Sequence, residues 1–317
     1  MTKRSWLLGL VLLAGAAYAL QKAAPIQVDY QPEEIASGVY VIHGPKELPS
    51  PENQGFMNNP AWIGTDQGVV VVAPGSSVQV GEMVLARIEK TTDKPVLAVF
   101  NSHIHGDHWL GNQAIRARYP DVPIYGHERV GPKVIGGAGT EWVELMLSMT
   151  QKATAGTTVV KPDHPVKDGD ELEIGGLTYR VMNNDKAHTD TDIMLYVPEK
   201  SLIFLGDNAG HERILRLEGG SFPGNVTALE NAIATGASVF VPGHGPSGGK
   251  EVAERYRDYL STVYATAQHG VEEGLADFEI RPLLLPKLEP WSQWAGFDTE
   301  LGKHINGAYL EAEAAAF

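Results

Sequence analysis

Apolar residues between positions 39 and 100 fall in short runs separated by turn-forming residues. Positions 39–42, Val-Tyr-Val-Ile, read as a strand that ends at His43-Gly44. Positions 61–64 and 69–72 form the arms of a hairpin around Thr65-Asp66-Gln67-Gly68. The second arm is four consecutive valines, which predicts a strand covered on both faces. Val80, Met83, Val84, Arg87 and Ile88 recur at helical spacing and predict a helix over 78–90, followed by a strand at 95–100. Residues 21–37 are polar and read as a surface lead-in. Residues 45–59, with three prolines and three asparagines, read as an exposed loop.

Downstream, a helix at 109–119, a strand at 122–125 and a helix at 141–153 behind the hinge Gly136-Gly137-Ala138-Gly139 precede closely spaced strands at 172–174, 179–182, 193–197 and 202–205. A helix at 226–234 then leads into a strand at 239–241. Two β-rich halves, each with helices to cover it, predict an α/β fold with four layers, an α-β-β-α sandwich over residues 20–250. Residues 251–317 read as a helical C-terminal extension packed on the same domain, with a Pro-broken stretch at 282–290 between its helices.

The first nineteen residues differ from the rest. Lys3 and Arg4 precede an apolar run over 6–17, and Ala17-Tyr18-Ala19 offers a small-x-small cleavage site, the layout of a secretory signal peptide over residues 1–19. The apolar run is about a dozen residues where a membrane span needs about 20. A periplasmic or secreted protein with no stable membrane insertion after cleavage is expected. The net charge of -14 becomes -16 when Lys3 and Arg4 are removed with the leader, and so acidic a surface repels nucleic acid. The expected partner is therefore a small-molecule substrate. There is no cysteine, so any metal site is built from imidazole and carboxylate, and thiolate zinc fingers and iron–sulfur clusters are excluded.

The run His103-Ile104-His105-Gly106-Asp107-His108 places three of the chain's eleven histidines directly after a predicted strand. In an extended loop, positions 103 and 105 point to one side while Asp107 and His108 turn elsewhere, so the run can serve two adjacent metals. Asp107 also suits a helix N-cap ahead of Trp109. Three more landmarks sit beside predicted strands: His188 in Ala187-His188-Thr189-Asp190-Thr191-Asp192, Asp207 in Leu205-Gly206-Asp207-Asn208, and His244 in Pro242-Gly243-His244-Gly245-Pro246.

This order of motifs resembles the HxHxDH signature of the metallo-β-lactamase superfamily and its later ligands. The resemblance implies that His103, His105 and His188 hold one metal, that Asp107, His108 and His244 hold a second, and that Asp207 bridges them, as in glyoxalase-II-like hydrolases. It implies two zinc ions per chain and an exported dinuclear zinc hydrolase. That enzyme attacks a small ester, thioester, lactone or lactam with a metal-bound hydroxide, Asp107 holding and deprotonating the water, and β-lactam hydrolysis is a possible side activity. The leader, the carboxylate bridge and the segment from Trp291 to Phe297 resemble periplasmic metallohydrolases encoded with quinoprotein or sulfur-oxidation systems. Two alternatives stand beside this reading: an iron-dependent redox enzyme of the persulfide dioxygenase type, and a non-catalytic metal-binding protein.

Asn208 and His211, beyond Asp207, are expected substrate contacts, as are Phe56 and Met57, which fall where the superfamily carries a flap; Trp142 offers another wall. One departure is plain. Where the family has an Asp closing its early strand this chain has Ala73, and Asn101, Ser102 or Asp185 are the available substitutes for that support.

Overall fold

A computed structural model describes residues 22–316, and the expected signal peptide lies outside them. Within the described residues the valines of Val69–Val72 explain the layering. All four are buried, with Val70 and Val72 in one apolar cluster and Val69 and Val71 in another. A strand buried on both faces needs a layer on each side.

That strand is the fourth of a seven-stranded sheet. Its members, in spatial and chain order, are β1 (Glu33–Ala36), β2 (Val39–Val41), β3 (Ala61–Gly64), β4 (Val69–Val72), β5 (Val96–Asn101), β6 (Ile124–His127) and β7 (His164–Val166). β1 to β4 pair antiparallel and β4 to β7 parallel. Helices α1 (Val78–Thr91) and α2 (Asn112–Arg118) cover its outer face, with Val80, Val84, Ile88 and Ile115 against Val69, Val71 and Val99. Two short helical pieces, α3 (Val130–Lys133) and a π-helical turn (Val134–Ala138), lead into α4 (Gly139–Met149).

The second sheet has the order β12-β11-β10-β9-β8, made of β8 (Glu171–Ile174), β9 (Leu177–Met182), β10 (Met194–Val197), β11 (Leu202–Gly210) and β12 (Val239–His244). Its outer face carries α5 (Phe222–Ala234) and the C-terminal helices α6 (Glu251–Glu272), α7 (Asp277–Leu284) and α8 (Phe297–Ala316), packed around Ile203, Leu205 and Phe240. Between the sheets Val70, Phe100, Val181, Leu195, Phe204 and Val241 form the middle core. The result is the four-layered α-β-β-α sandwich, with the C-terminal helices inside its outermost layer.

Several local expectations change. β1 lies in the stretch read as a lead-in, because an exposed edge strand of sequence Glu-Glu-Ile-Ala carries no apolar alternation. β7, His-Pro-Val, is too short and polar to register as a strand. Asp107 caps no α-helix: residues 106–108 form a single 3-10 turn, and α2 begins only at Asn112. α4 stops at Met149 because Gln151 and Lys152 take left-handed φ of 48° and 71°. The 45–59 loop is not exposed throughout, since residues 53–59 are buried.

Because each valine of β4 fills a different core, Val70→Ala and Val71→Ala should each lower unfolding free energy by about 2 kcal/mol. Urea unfolding checks this; a near-zero effect at either position would show that one face of β4 is not packed.

Candidate metal centre

The histidines and aspartates singled out from the sequence converge at one end of the two sheets. His103 and His105 leave β5, Asp107 and His108 occupy the 3-10 turn, and His188 lies on the loop between β9 and β10. β11 continues past its apolar half through Gly206-Asp207-Asn208-Ala209-Gly210, every residue buried, and pairs in parallel with β12, which ends at His244. Parallel strand ends thus deliver Asp207 and His244 side by side. Gly243 is what makes room: a Cβ there would stand 1.9 Å from Asp207 Oδ1.

Donor atoms gather in two sets, each within 4.8 Å: His103, His105, His188 and Asp207 in one, Asp107, His108 and His244 in the other. Asp207 touches both. Its Oδ1 is 3.0 Å from His108 Nε2, and its Oδ2 is 3.4 Å from His244 Nε2, 3.6 Å from His188 Nε2 and 3.7 Å from His103 Nε2. Asp107 Oδ2 lies 3.2 Å from His244 Nε2 and 3.3 Å from His108 Nε2.

Neighbouring groups orient the rings. Ser102 Oγ meets His103 Nδ1 at 3.0 Å, and His244 Nδ1 donates to the Met57 carbonyl at 2.8 Å, which leaves both Nε2 atoms facing the centre. His105 turns its Nδ1 inward, 3.1 Å from His188 Nε2, with Trp142 5.1 Å from its ring. Asp192 accepts from the backbone N–H and hydroxyl of Thr189, both at 2.7 Å; Thr189 in turn meets Thr191, whose Oγ1 accepts from Ile104 N at 3.0 Å. That chain ties the His188 loop to the His103–His108 loop across the two sheets.

Buried polar atoms normally find partners, yet His103 Nε2, His108 Nε2, Asp107 Oδ2 and Asp207 Oδ1 have no aligned hydrogen bond. Orphaned imidazole nitrogens and carboxylate oxygens aimed at a common centre suit a bound cation, and an all-nitrogen-and-oxygen donor set suits zinc. Electrostatics agree. Burial drives His103 well below its ordinary value, lowers His105, and takes His188 down to about 3, so the first set is neutral imidazole ready to ligate. Burial also disfavours charge on His108, but Asp207 and Asp107 outweigh it and raise that ring to about 10; His244 is raised in the same way, chiefly by Asp207. Burial opposes ionisation of both carboxylates, and the surrounding imidazoles still hold Asp107 and Asp207 well below the usual range.

Of the substitutes considered for an Asp at position 73, Ser102 makes a ring contact, Asn101 pairs with Asn112, and Asp185 is exposed and paired with Arg129. Ala73 itself has φ 50°, and its carbonyl accepts from Asn58 Nδ2 at 3.0 Å. Two supports escaped the sequence reading. Asn59 Nδ2 donates to Pro242 O at 2.9 Å and Gly245 O at 2.7 Å, bracing the His244 turn, and Arg213 lies buried beside His244. An Asn in a loop rich in Asn and Pro, and an Arg in a polar loop, carry no pattern that marks them.

A cavity of about 550 Å³ opens over the centre. His105, Asp107, His188, Asp207 and His244 form its floor, with Met57, Trp142 and Met146 among its walls. Of the four expected substrate contacts only Met57 reaches it. Phe56 is fully buried against Tyr30; Asn208 turns back to donate to Leu205 O; His211 meets Pro246 O and the ring of Trp294. Strand alternation accounts for Asn208, which follows Asp207 directly and points to the other face.

Gly243→Ala should strip the centre of metal without unfolding the chain, because the new methyl group displaces Asp207. Elemental analysis beside circular dichroism reads the two effects, and full metal content in the variant would contradict the geometry. The free centre also holds a proton on His108 at neutral pH, since Asp207 and Asp107 raise that ring to about 10, and ligation must expel it. Metal affinity should therefore climb as pH rises from 6 to 9; a pH-independent dissociation constant would refute this.

A match to the metallo-beta-lactamase superfamily covers residues 54–244. The linear primary-alkylsulfatase of a Pseudomonas species is 25% identical over 69% of this chain and 48% of its own length. The hydroxyacylglutathione hydrolase of Yersinia enterocolitica is 29% identical over 48% of this chain and 47% of its own. The chain thus spans about half the length of these relatives. Among solved structures, a metallo-beta-lactamase from Pontibacter korlensis superposes with a TM-score of 0.57 at 20% identity, over 73% of this chain and 98% of that one. A stereoselective inverting sec-alkylsulfatase from Pseudomonas sp. superposes with 0.66 at 16%, over 88% and 50%. With the family match spanning most of the chain and both donor sets in place, the chain belongs to the metallo-beta-lactamase superfamily.

Proposed function

We propose that the chain is an exported dinuclear zinc hydrolase of a small ester, thioester, lactone or lactam. The observation that carries this reading is the convergence of two donor sets on Asp207, with buried donor atoms that no protein group satisfies. His103, His105 and His188 would hold one ion, Asp107, His108 and His244 the other, and Asp207 both. Bound zinc supplies Lewis acidity and lowers the pKa of water toward neutrality. Asp107 would orient the attacking water and take its proton. Met57, Trp142 and Met146 keep bulk solvent from the electrophile. Export rests on the leader-like residues 1–19, and no described helix is long and apolar enough to cross a membrane.

The alkylsulfatase similarity, together with the apolar walls of the cavity, favours a second substrate, a sulfate ester. Metal analysis with a panel of thioester, ester, lactone, lactam and sulfate-ester substrates tests both. The expected result is two zinc ions per chain and turnover, with Asp107→Asn lowering kcat/KM about a hundredfold or more. Iron at full occupancy with oxygen consumption, or a metal-free chain without activity, would overturn the proposal.

A further inference from the structure

Arg213 is the buried cation of this cavity, whereas Lys46, Arg216 and Lys303, with Glu47 and Glu300, also line it and the three cations lie nearer solvent. Arg213 is 6% exposed and lines the cavity beside Met57 and His244. A guanidinium offers five N–H donors, and a buried one is costly unless its donors and charge are answered. Among the described residues Arg213 has no carboxylate partner. Its Nη1 lies 3.4 Å from the Glu47 carbonyl, a long contact, and 3.2 Å from His244 Nδ1. That nitrogen already carries the proton donated to Met57 O, so it accepts nothing from Arg213. Nor is Arg213 the counter-ion of Asp107 and Asp207 in a loaded centre. Two divalent ions outweigh two carboxylates, and a further cation adds to an excess of positive charge that only an incoming anion relieves.

One part of the remaining wall is apolar. One face of α4 supplies Trp142, Leu145, Met146 and Met149, and Leu48 and Leu145 are exposed at 57% and 39%. Exposed leucines contiguous with an apolar wall give a path along which a flexible chain loses water. Methionines adapt to chains of varying shape.

We infer that the cavity takes an anionic amphiphile, its acid group paired with Arg213 and its apolar chain laid along α4. This rests on the hydrolase reading for the bond that is cut, but not for binding. Calorimetry of the zinc-loaded protein with decanoate, decyl sulfate, decan-1-ol and acetate tests it. Decanoate and decyl sulfate should bind at least tenfold more tightly than decanol or acetate, and any preference between the two separates a carboxylate from a sulfate head. Arg213→Met should weaken decanoate at least tenfold and leave decanol unchanged, while Arg213→Lys recovers part of the loss. Leu145→Asp, at a half-exposed position that tolerates charge, should weaken decanoate and leave acetate unchanged. Acetate binding as tightly as decanoate, or Arg213→Met binding decanoate like the parent, overturns the inference. Should Arg213→Met fail to fold, equal decanoate and decanol affinities in the parent, or an unaltered Leu145→Asp, overturn it just as directly. Zinc measured on the same samples keeps the two readings apart. Two ions without amphiphile preference refute this inference alone, and decanoate held by Arg213 in a chain without metal refutes the hydrolase reading alone.

Discussion

Two carboxylates buried among five imidazoles set the terms for everything around them. Neither Asp107 nor Asp207 is exposed enough for water to carry its charge, so positive charge must come from inside the cluster. In the free chain a proton on His108 supplies it, with His244 shifted in the same direction, and a bound cation would supply it instead. The rings and carboxylates face one another with several of their inner atoms unpartnered. That requires a frame stiff enough to hold unsatisfied donors apart.

The frame is the pair of parallel strand ends. β11 is buried along its whole length, so Asp207 is carried by a backbone with packed layers on both sides, and β12 holds His244 in register beside it. Sheet-to-sheet ties then fix the remaining ligands. Asp192, Thr189 and Thr191 lock the His188 loop to Ile104, while Asn59 grips the backbone on both sides of His244. Apart from Asp192, these ties are made by neutral hydroxyls and amides. Burial raises Asp192 itself to about 7, which limits the negative charge it adds beside a centre that already buries two carboxylates.

What could be read from the chain follows from how local each signal is. The valines of β4, the helical spacing in α1 and the density of histidines at 103–108 are contained within a few residues, and each predicted its element or role. β1 and β7 escaped because edge strands need no apolar alternation. The strand predicted over 202–205 runs on to Gly210, an extension without apolar signal because glycine and polar side chains at 206–210 serve the site and not the core. Phe56 is expected at the substrate from the family's flap position, and Asn208 from its place beside Asp207. Backbone alternation and a core-directed ring took them elsewhere. Arg213 was invisible for the opposite reason, since its meaning lies in partners it lacks, which only three-dimensional placement exposes.

The division between centre and cavity wall has a structural basis. Ligands come from β5, β11, β12 and the loops tied to them, all inside the packed layers. One side of the wall comes from α4, which buries only Gly139 and Met146 and is bracketed by left-handed residues, Gly137 at φ 128° on one side and Gln151 and Lys152 on the other. Such ends let a helix be reset as a unit, because the chain reverses where backbone conformation, not side-chain packing, sets its course. Substitutions along the exposed face of α4 can therefore alter what the cavity admits without disturbing the strands that hold the donors. Arg213 occupies the boundary, close enough to His244 to act with the centre and placed by the loop after β11 to face the wall.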